Sequence, residues 1–389
     1  MINFDFQNST KIIFGKDAEQ RVGKETITYG KRVLLHYGGG NIKKTGLYDR
    51  IITSLKDAGV EVFELPGVKP NPRLSLVREG ISICKEQRID LVLAVGGGSV
   101  IDSAKAIALG TVYDGDVWNL YTGEDVPERS LPVAVVLTIP AAGSESSIGS
   151  VITNEDGGYK RACNSVHNYP VFSILNPELA YTLPKYQIAC GTTDILAHMM
   201  ERYFTNVDHV DLTDNLLEGA MKNILKHAPR LLDDNRDYNT WAEVMWTGSI
   251  AHNNLLDTGR IADWASHDIE HELSGKFDIA HGAGLAIIIP AWMKYVYTHD
   301  VQRFAQFAVR VMGVELDFSS PEKSALEGIR RLEVHLKRMG LAARLSDVGI
   351  TEESFEEMAD KGTASDTRTL GNFVKLKKVD VIKILELAS

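Results

Sequence analysis

Two stretches of the chain hold residues whose types and spacing suit metal chemistry. GTTDILAHMM (191–200) contains Asp194 and His198. SHDIEHELSGKFDIAH (266–281) contains His267, His271 and His281, three of the eleven histidines. Asp194/His198 and His267/His271 are each four residues apart, the spacing that puts two side chains on one face of a helix. His281 lies beyond Gly275, on another turn or element, and Gly282 and Gly284 after it permit close packing. A carboxylate with three imidazoles makes a tetrahedral or open site for a divalent cation. Five candidates compete for about four positions, which leaves room for one histidine beside the ion rather than on it. The plainer reading of either pair is an amphipathic helix with ordinary core or surface histidines, as His209, His227 and His252 are read.

The first half offers a different chemistry, in glycine loops. VGGGSVIDSAK (95–105) joins an apolar run to a helix-like one. Gly96, Gly97 and Gly98 let the backbone approach a ligand closely. Their N–H groups and the N-terminus of the following helix attract an anion such as a pyrophosphate. Ser99 is placed to cap that helix, and Asp102 falls in its first turn, where a carboxylate complements the dipole. The spacing is not G-x-G-x-x-G, so a tight turn that binds nothing is the alternative. GGGNIKKT (38–45) is not a P-loop, because Lys43 stands where that motif needs glycine. No acid lies within it to hold a ribose 2′-hydroxyl, whereas Asn41 and Lys43 suit a 2′-phosphate, which favours NADP over NAD. TIPAAGSESS (138–147) is a third small-residue loop, and the three together outline a crevice for an extended ligand.

These loops need strands to present them. RVLLHY (32–37), VEVFEL (60–65), DLVLAV (90–95) and VAVVLTIP (133–140) are strand-like, and the segments up to Leu55, SLVREGISICKEQ (75–87) and SVIDSAKAIALG are helix-like. Continuously apolar strands alternating with helices predict an open parallel α/β sheet, which binds ligands at the carboxyl ends of its strands. After Leu183-Pro184 the rhythm changes. Leu216, Leu217, Ala220, Met221, Ile224 and Leu225 form a helical stripe within 211–228. Ser320-Pro321 opens, and Met339-Gly340 closes, another helix. The division predicted is an α/β domain over 1–184 and an all-helical domain over 185–389.

Composition narrows the function class. A length of 389 residues suggests two or three domains of about 150 residues each. Hydrophobic content of 44% with 24% charged residues fits a soluble globular protein, and a net charge of −10 argues against a nucleic-acid partner. Cys84, Cys163 and Cys190 form no Cys-x-x-Cys pair, so free thiols in a reducing compartment are expected and a cysteine-held zinc is excluded. No signal-peptide pattern and no apolar run of about 18 residues is present, so the expectation is a cytoplasmic protein without a membrane partner.

The motifs together resemble the iron-containing alcohol dehydrogenase family, in the branch of butanol dehydrogenases and NADPH-dependent aldehyde reductases. The resemblance runs nearly end to end: Phe14-Gly15, YGGGNIKKTGLYD (37–49), PNP (70–72), LAVGGGSVIDSAK (93–105), LTIPAAGSE (137–145), DILAHMMERY (194–203), HDIEHEL (267–273), HGAGLAI (281–287) and RTLGNFVKLKKVDVIKILELA (368–388). It implies a dehydroquinate synthase-like fold, with a Rossmann-like N-terminal domain, an all-α C-terminal domain and the active site between them. It implies Fe²⁺ or Zn²⁺ held by Asp194, His198, His267 and His281, with His271 as the proton-relay or substrate-orienting residue. The pyrophosphate is expected at Gly97, Gly98 and Ser99. Thr138 and Ser144 are expected near the adenine or nicotinamide end, Lys160 near a ribose, and Gly38 and Asn41 in the adenosine ribose pocket. Asn71 and Asp102 complete the expected cofactor-binding set. A homodimer is also implied. Two departures stand out: Ala142 replaces the threonine of T-G-S-E, and Asn41 replaces the serine of Y-G-G-G-S.

The activity so implied is hydride transfer between a nicotinamide cofactor, NADP or NAD, and small primary alcohols or aldehydes such as butanol and butanal. The absence of an evident charged anchor for a substrate tail favours small apolar substrates. The rivals are a non-redox enzyme of the dehydroquinate synthase kind, a nucleotide-binding regulatory protein with a structural metal, and a metallohydrolase. For the hydrolase, His267-Asp268-Ile269-Glu270-His271 echoes H-E-x-x-H, but with Asp268, one methylene shorter, in place of the base glutamate.

Overall fold

The computed structural model describes residues 1–389. The chain forms two compact units, one of Gln7–Thr182 and one of Leu183–Ser389 with Met1–Phe6.

The first unit is built on a six-stranded parallel sheet. Its strands are β1 (Lys11–Phe14), β2 (Arg32–Tyr37), β3 (Glu61–Leu65), β4 (Leu91–Gly97), β5 (Val133–Ile139) and β8 (Phe172–Leu175), in the order β1-β8-β5-β4-β2-β3. A separate antiparallel hairpin joins β6 (Gly149–Asn154) to β7 (Tyr159–Asn164). Leu91, Val92, Leu93, Ala94 and Val95 are all fully buried, so β4 is covered on both faces, as its unbroken apolar run requires. Each of the larger side chains there contributes about 1.5–3 kcal/mol through burial. The four strands read from the sequence are present. β1, β8 and the hairpin are additions, the first two being strands of only four residues.

The junction of β4 with the helix Gly98–Val112 explains its glycines. A Cβ on Gly97 would lie 2.8 Å from Ile139 Cβ, and one on Gly98 would lie 2.8 Å from Ala142 Cβ. The ladder between β4 and β5 shifts register at Gly96/Gly97, which opens the strand end. With Ser99 as cap the helix would start at Val100; it begins two residues earlier, with Gly97 as its N-cap, so Ser99 lies inside it and does not cap it. For the same reason Asp102 falls beyond the first turn. Its carboxylate accepts from Ser144 Oγ at 2.6 Å and from Val151 N–H at 3.0 Å instead of facing the dipole.

The second unit contains helices and short turns but no strand. The helix Lys185–Tyr203 is buried continuously from Ile188 to Tyr203, which makes it the axis of the unit. The helices Asp211–Asp233, Tyr238–Ala251 and His281–Val296 pack against it, and Ala265–Phe277 packs against His281–Val296. The expected helix after Ser320 spans Pro321–Arg338, with proline in its first turn and Gly340 at φ 81° just past its end. No helix is long and apolar enough to cross a membrane.

Candidate active site

The close approach of two helices builds the site. A Cβ on Gly282 would lie 2.0 Å from the carbonyl oxygen of Cys190, so only glycine lets the start of helix His281–Val296 touch helix Lys185–Tyr203 there. That contact brings His281 beside Asp194, which is one turn beyond Cys190. Gly284 acts similarly: a Cβ on it would meet the Glu270 side chain at 2.8 Å. Helix Ala265–Phe277 then supplies His267 from a third direction.

Asp194 Oδ1 faces His198 Nε2 at 3.7 Å, His267 Nε2 at 3.9 Å and His281 Nε2 at 3.7 Å. These distances are too long for hydrogen bonds. They are close to the separation of about 3.4 Å between ligand atoms held at about 2.1 Å around one tetrahedral cation. His267 Nε2 is buried and has no hydrogen-bond partner, as befits an atom directed at an ion. The side chains of Asp194, His198 and His267 are each 6% exposed, and that of His281 is 25% exposed. The site therefore opens on the side of His281. Burial holds the His267 imidazole down at about 4, against the attraction of Asp194, and pushes His198 well below its ordinary value. Both rings are neutral at neutral pH, the form in which histidine binds metal.

Buried carboxylates orient two of the imidazoles. His267 Nδ1 donates to Glu201 Oε1 at 2.8 Å, and the same oxygen accepts the main-chain N–H of His267 at 3.0 Å. His281 Nδ1 donates to Glu270 Oε2, and the other Glu270 oxygen accepts from Ser274 Oγ. Carboxylate-histidine pairs of this kind fix the tautomer and aim the remaining nitrogen. His198 is held differently, by its neighbours' rings. Its centroid lies 4.9 Å from that of His267 and 4.2 Å from that of His252. Arg202, one turn beyond His198, donates to the His198 carbonyl at 2.8 Å, to Asp257 at 2.9 Å and to His252 Nδ1 at 3.1 Å. It also stacks 4.8 Å from the Trp264 ring. Trp264 sits at φ 70°, in the left-handed region, with its N–H bonded to Glu201 Oε2 at 2.7 Å.

His271 is half-buried, with its ring centroid 5.6 Å from that of His281. Asp194, His267 and His281 form one group with the spacing of metal ligands, and Glu270, His271 and His281 form another. His198, although its Nε2 lies 3.7 Å from Asp194 Oδ1, belongs to neither group. In the second group His281 and Glu270 are already bonded to each other, whereas the first contains the unpartnered Nε2 of His267, which makes it the candidate cation site. Among residues that sequence reasoning passed over, Glu201 lies three residues beyond His198 and Glu270 lies three beyond His267. Both lie one turn from a clustered histidine on the same helix, and that spacing was a usable signal. His252, read from the sequence as an ordinary histidine, forms part of the wall of this site.

The residues expected to bind a nucleotide all lie in the α/β unit. Gly38 follows β2, Asn41 is exposed at the start of the helix Asn41–Lys44, and Asn71 is buried at φ 53°. Gly97 ends β4, and Gly98 and Ser99 begin the next helix. Thr138 is half-buried in β5, while Ser144 and Lys160 are buried. Besides its bond to Asp102, Ser144 Oγ accepts from the fully buried Lys105 at 2.9 Å. Ser144 and Asp102 thus brace the loop from within.

Residues 9–177 match the iron-containing alcohol dehydrogenase family, and residues 188–389 match the C-terminal region of the same family. The chain belongs to the iron-containing alcohol dehydrogenases. This alcohol dehydrogenase is 44% identical, over 99% of both chains, to the probable NADH-dependent butanol dehydrogenase 1 of Bacillus subtilis. It is 35% identical, over 93% of both chains, to the NADPH-dependent aldehyde reductase of Escherichia coli. The crystal structure of NADH-dependent butanol dehydrogenase A from Thermotoga maritima superposes with a TM-score of 0.96 at 41% identity, covering 100% of this chain and 98% of that one. The enzyme is a metal-dependent oxidoreductase, and its fold is the dehydroquinate synthase-like fold of that family.

Proposed function

We propose that this enzyme is an NAD(P)-linked alcohol dehydrogenase and aldehyde reductase, interconverting small primary alcohols and aldehydes such as butanol and butanal. The observation that carries the reading is the meeting of three imidazole Nε2 atoms with Asp194 Oδ1 at 3.7–3.9 Å. When bound, Fe²⁺ or Zn²⁺ supplies a Lewis acid for the substrate oxygen. Asp194, His198, His267 and His281 hold that ion, and Glu201 and Glu270 orient the histidines. His271, next to the more open ligand His281, moves the proton to or from the substrate oxygen. In the domain 1–184, Gly97, Gly98 and Ser99 hold the pyrophosphate, with Gly38, Asn41, Asn71, Asp102, Thr138, Ser144 and Lys160 shaping the rest of the nucleotide site. The domain 185–389 carries the metal and His271. A carboxylate with three imidazoles takes either iron or zinc, and zinc has the higher intrinsic affinity. The acid-free loop Gly38–Asn41 argues for NADP, while NAD remains compatible with it. A homodimer fits the family.

The test follows NADPH and NADH absorbance with butanal, using protein stripped of metal and restored with Fe²⁺ or Zn²⁺. An Asp194→Ala/His198→Ala variant is the control. Metal-dependent oxidation that disappears in the variant is the expected result. Nucleotide binding without turnover under either metal would overturn the dehydrogenase reading in favour of non-redox chemistry.

A further inference from the structure

The adenosine end of the nucleotide site contains an acid that the sequence of its loop does not. In an open α/β sheet, a pyrophosphate at one strand end places the adenosine ribose over the end of the neighbouring strand. Here the strand beside β4 is β2, which ends at Tyr37 and runs into Gly38–Asn41. β3 pairs in parallel with β2, with Glu64 opposite Leu35. Glu64 accepts from two phenols: Tyr37 Oη donates to Oε2 at 2.7 Å and Tyr48 Oη donates to Oε1 at 2.5 Å. Lys43, the loop cation suited to a phosphate, is drawn into the same cluster. Its Nζ lies 3.8 Å from Glu64 Oε2, 4.5 Å from the Tyr48 ring centroid and 5.4 Å from that of Tyr37. Lys44, the next residue, projects about 100° further around the helix.

We infer that Glu64 is a specificity-determining residue: by holding Lys43 in a carboxylate-aromatic cage, it turns the ribose pocket from NADP(H) towards NAD(H). The inference rests on the nucleotide site proposed above and reverses the NADP preference read from its acid-free loop, because Glu64 of β3 brings the acid to Lys43 from outside that loop. The two phenols use one acceptor position on each Glu64 oxygen, which leaves positions that a ribose 2′-hydroxyl can donate to. A 2′-phosphate has nothing to donate at neutral pH and brings charge of its own sign to the carboxylate. To pair with that phosphate, Lys43 must first leave Glu64 and two aromatic faces.

The experiment is equilibrium titration of the full-length enzyme with NADH and NADPH, read by nicotinamide fluorescence without substrate. Wild type, Glu64→Gln, Lys43→Gln and the double variant are compared. Wild type is expected to bind NADH more tightly. Glu64→Gln, which keeps the shape and removes the charge, is expected to move the NADPH-to-NADH affinity ratio about tenfold or more towards NADPH. Lys43→Gln alone is expected to change that ratio less than about threefold, because the cation is already committed, and in the Glu64→Gln background it is expected to undo the gain. Lys43 is exposed, so its substitution tests the inference even if Glu64→Gln destabilises the loop. A loss of about tenfold in NADPH binding from Lys43→Gln alone would show the cation to be free for phosphate and would overturn the inference. So would a ratio unmoved by Glu64→Gln while both nucleotides still bind. Failure of the wild type to bind either nucleotide would instead overturn the nucleotide reading beneath it.

Discussion

Glu201 grips His267 twice through one oxygen: Oε1 accepts the ring Nδ1–H at 2.8 Å and the main-chain N–H at 3.0 Å. The ring and the start of its helix are therefore fixed by the same atom, and Nε2 is left aimed at Asp194. The second Glu201 oxygen holds the N–H of Trp264 at φ 70°, a conformation that a large side chain adopts only when its surroundings enforce it. Burial raises the Glu201 carboxyl to about 7, against the lowering effect of these N–H groups.

Glu201→Gln keeps the shape but leaves a single acceptor oxygen, so its NH2 faces either the N–H groups of His267 or that of Trp264. Loss of such a partner typically lowers metal affinity 10–100-fold, so a drop of about tenfold or more is expected with the fold retained. Competition with a chelator of known affinity, alongside far-UV circular dichroism, measures both. An unchanged affinity would mean that the packing around His267 orients the ring without the carboxylate.

The sequence exposed the clustered aspartate and histidines more readily than the carboxylates bonded to them. Asp194/His198 and His267/His271 were legible because helical spacing is local, and His281 because glycines follow it. Glu201 and Glu270 carried a local signal, three residues beyond His198 and His267, but a pattern of residue types does not say which faces of which helices meet, so their bonds to His267 and His281 were not legible. The role of Gly282 depends on the Cys190 carbonyl, 92 positions away in the chain. In the sheet, β4 announced itself by five consecutive buried residues, whereas β1 and β8, four residues each, gave too short a run. The hairpin β6–β7 did carry a turn signal, Asp156-Gly157-Gly158, between its strands. Ser99 does not cap the helix and Asp102 is not in its first turn because the helix begins at Gly98, a two-residue difference within the ordinary uncertainty of helix ends.

His271 lies beside the ligand cluster, and substituting it should separate proton movement from metal binding. His271→Gln is expected to retain the metal and lower kcat by about 100-fold, with KM much less affected. The pH profile of kcat should change shape as well, as the proton role proposed for His271 requires. Metal analysis with steady-state kinetics from pH 6 to about 9 checks this. Loss of metal together with activity would make His271 a ligand instead.

Gly98 permits the approach of the β5 loop to the mouth of β4, and a branched side chain there fills that space. A Cβ at this position already stands 2.8 Å from Ala142 Cβ, and valine adds two methyl groups. Gly98→Val is expected to weaken NADH and NADPH together, by about tenfold or more, because the shared pyrophosphate loses its close backbone approach. Metal content should be unaffected. Fluorescence titration with both nucleotides tests this, and a selective loss of one of them would contradict it.

His36 gives the α/β unit a dependence on pH that is independent of catalysis. It is fully buried on β2, with Nδ1 donating to Leu65 O at 2.8 Å and Nε2 accepting from Ser103 Oγ at 2.8 Å. Burial pushes its imidazole from 6.5 down to about 4, opposed by the Leu65 carbonyl. Between those values the unfolded chain takes up a proton that the folded chain refuses. The stabilisation is thus complete above pH 6.5 and is lost as pH falls towards 4. A difference of about 2.5 units corresponds to roughly 3 kcal/mol over that window. His36→Gln removes the titrating group, so its urea-unfolding free energy should fall less steeply than that of wild type between pH 6.5 and 4.5. At pH 7.5 it should be about 1–3 kcal/mol less stable, because its amide reproduces the two buried hydrogen bonds imperfectly. Parallel slopes for the two proteins would mean that His36 protonates without strain in the folded state.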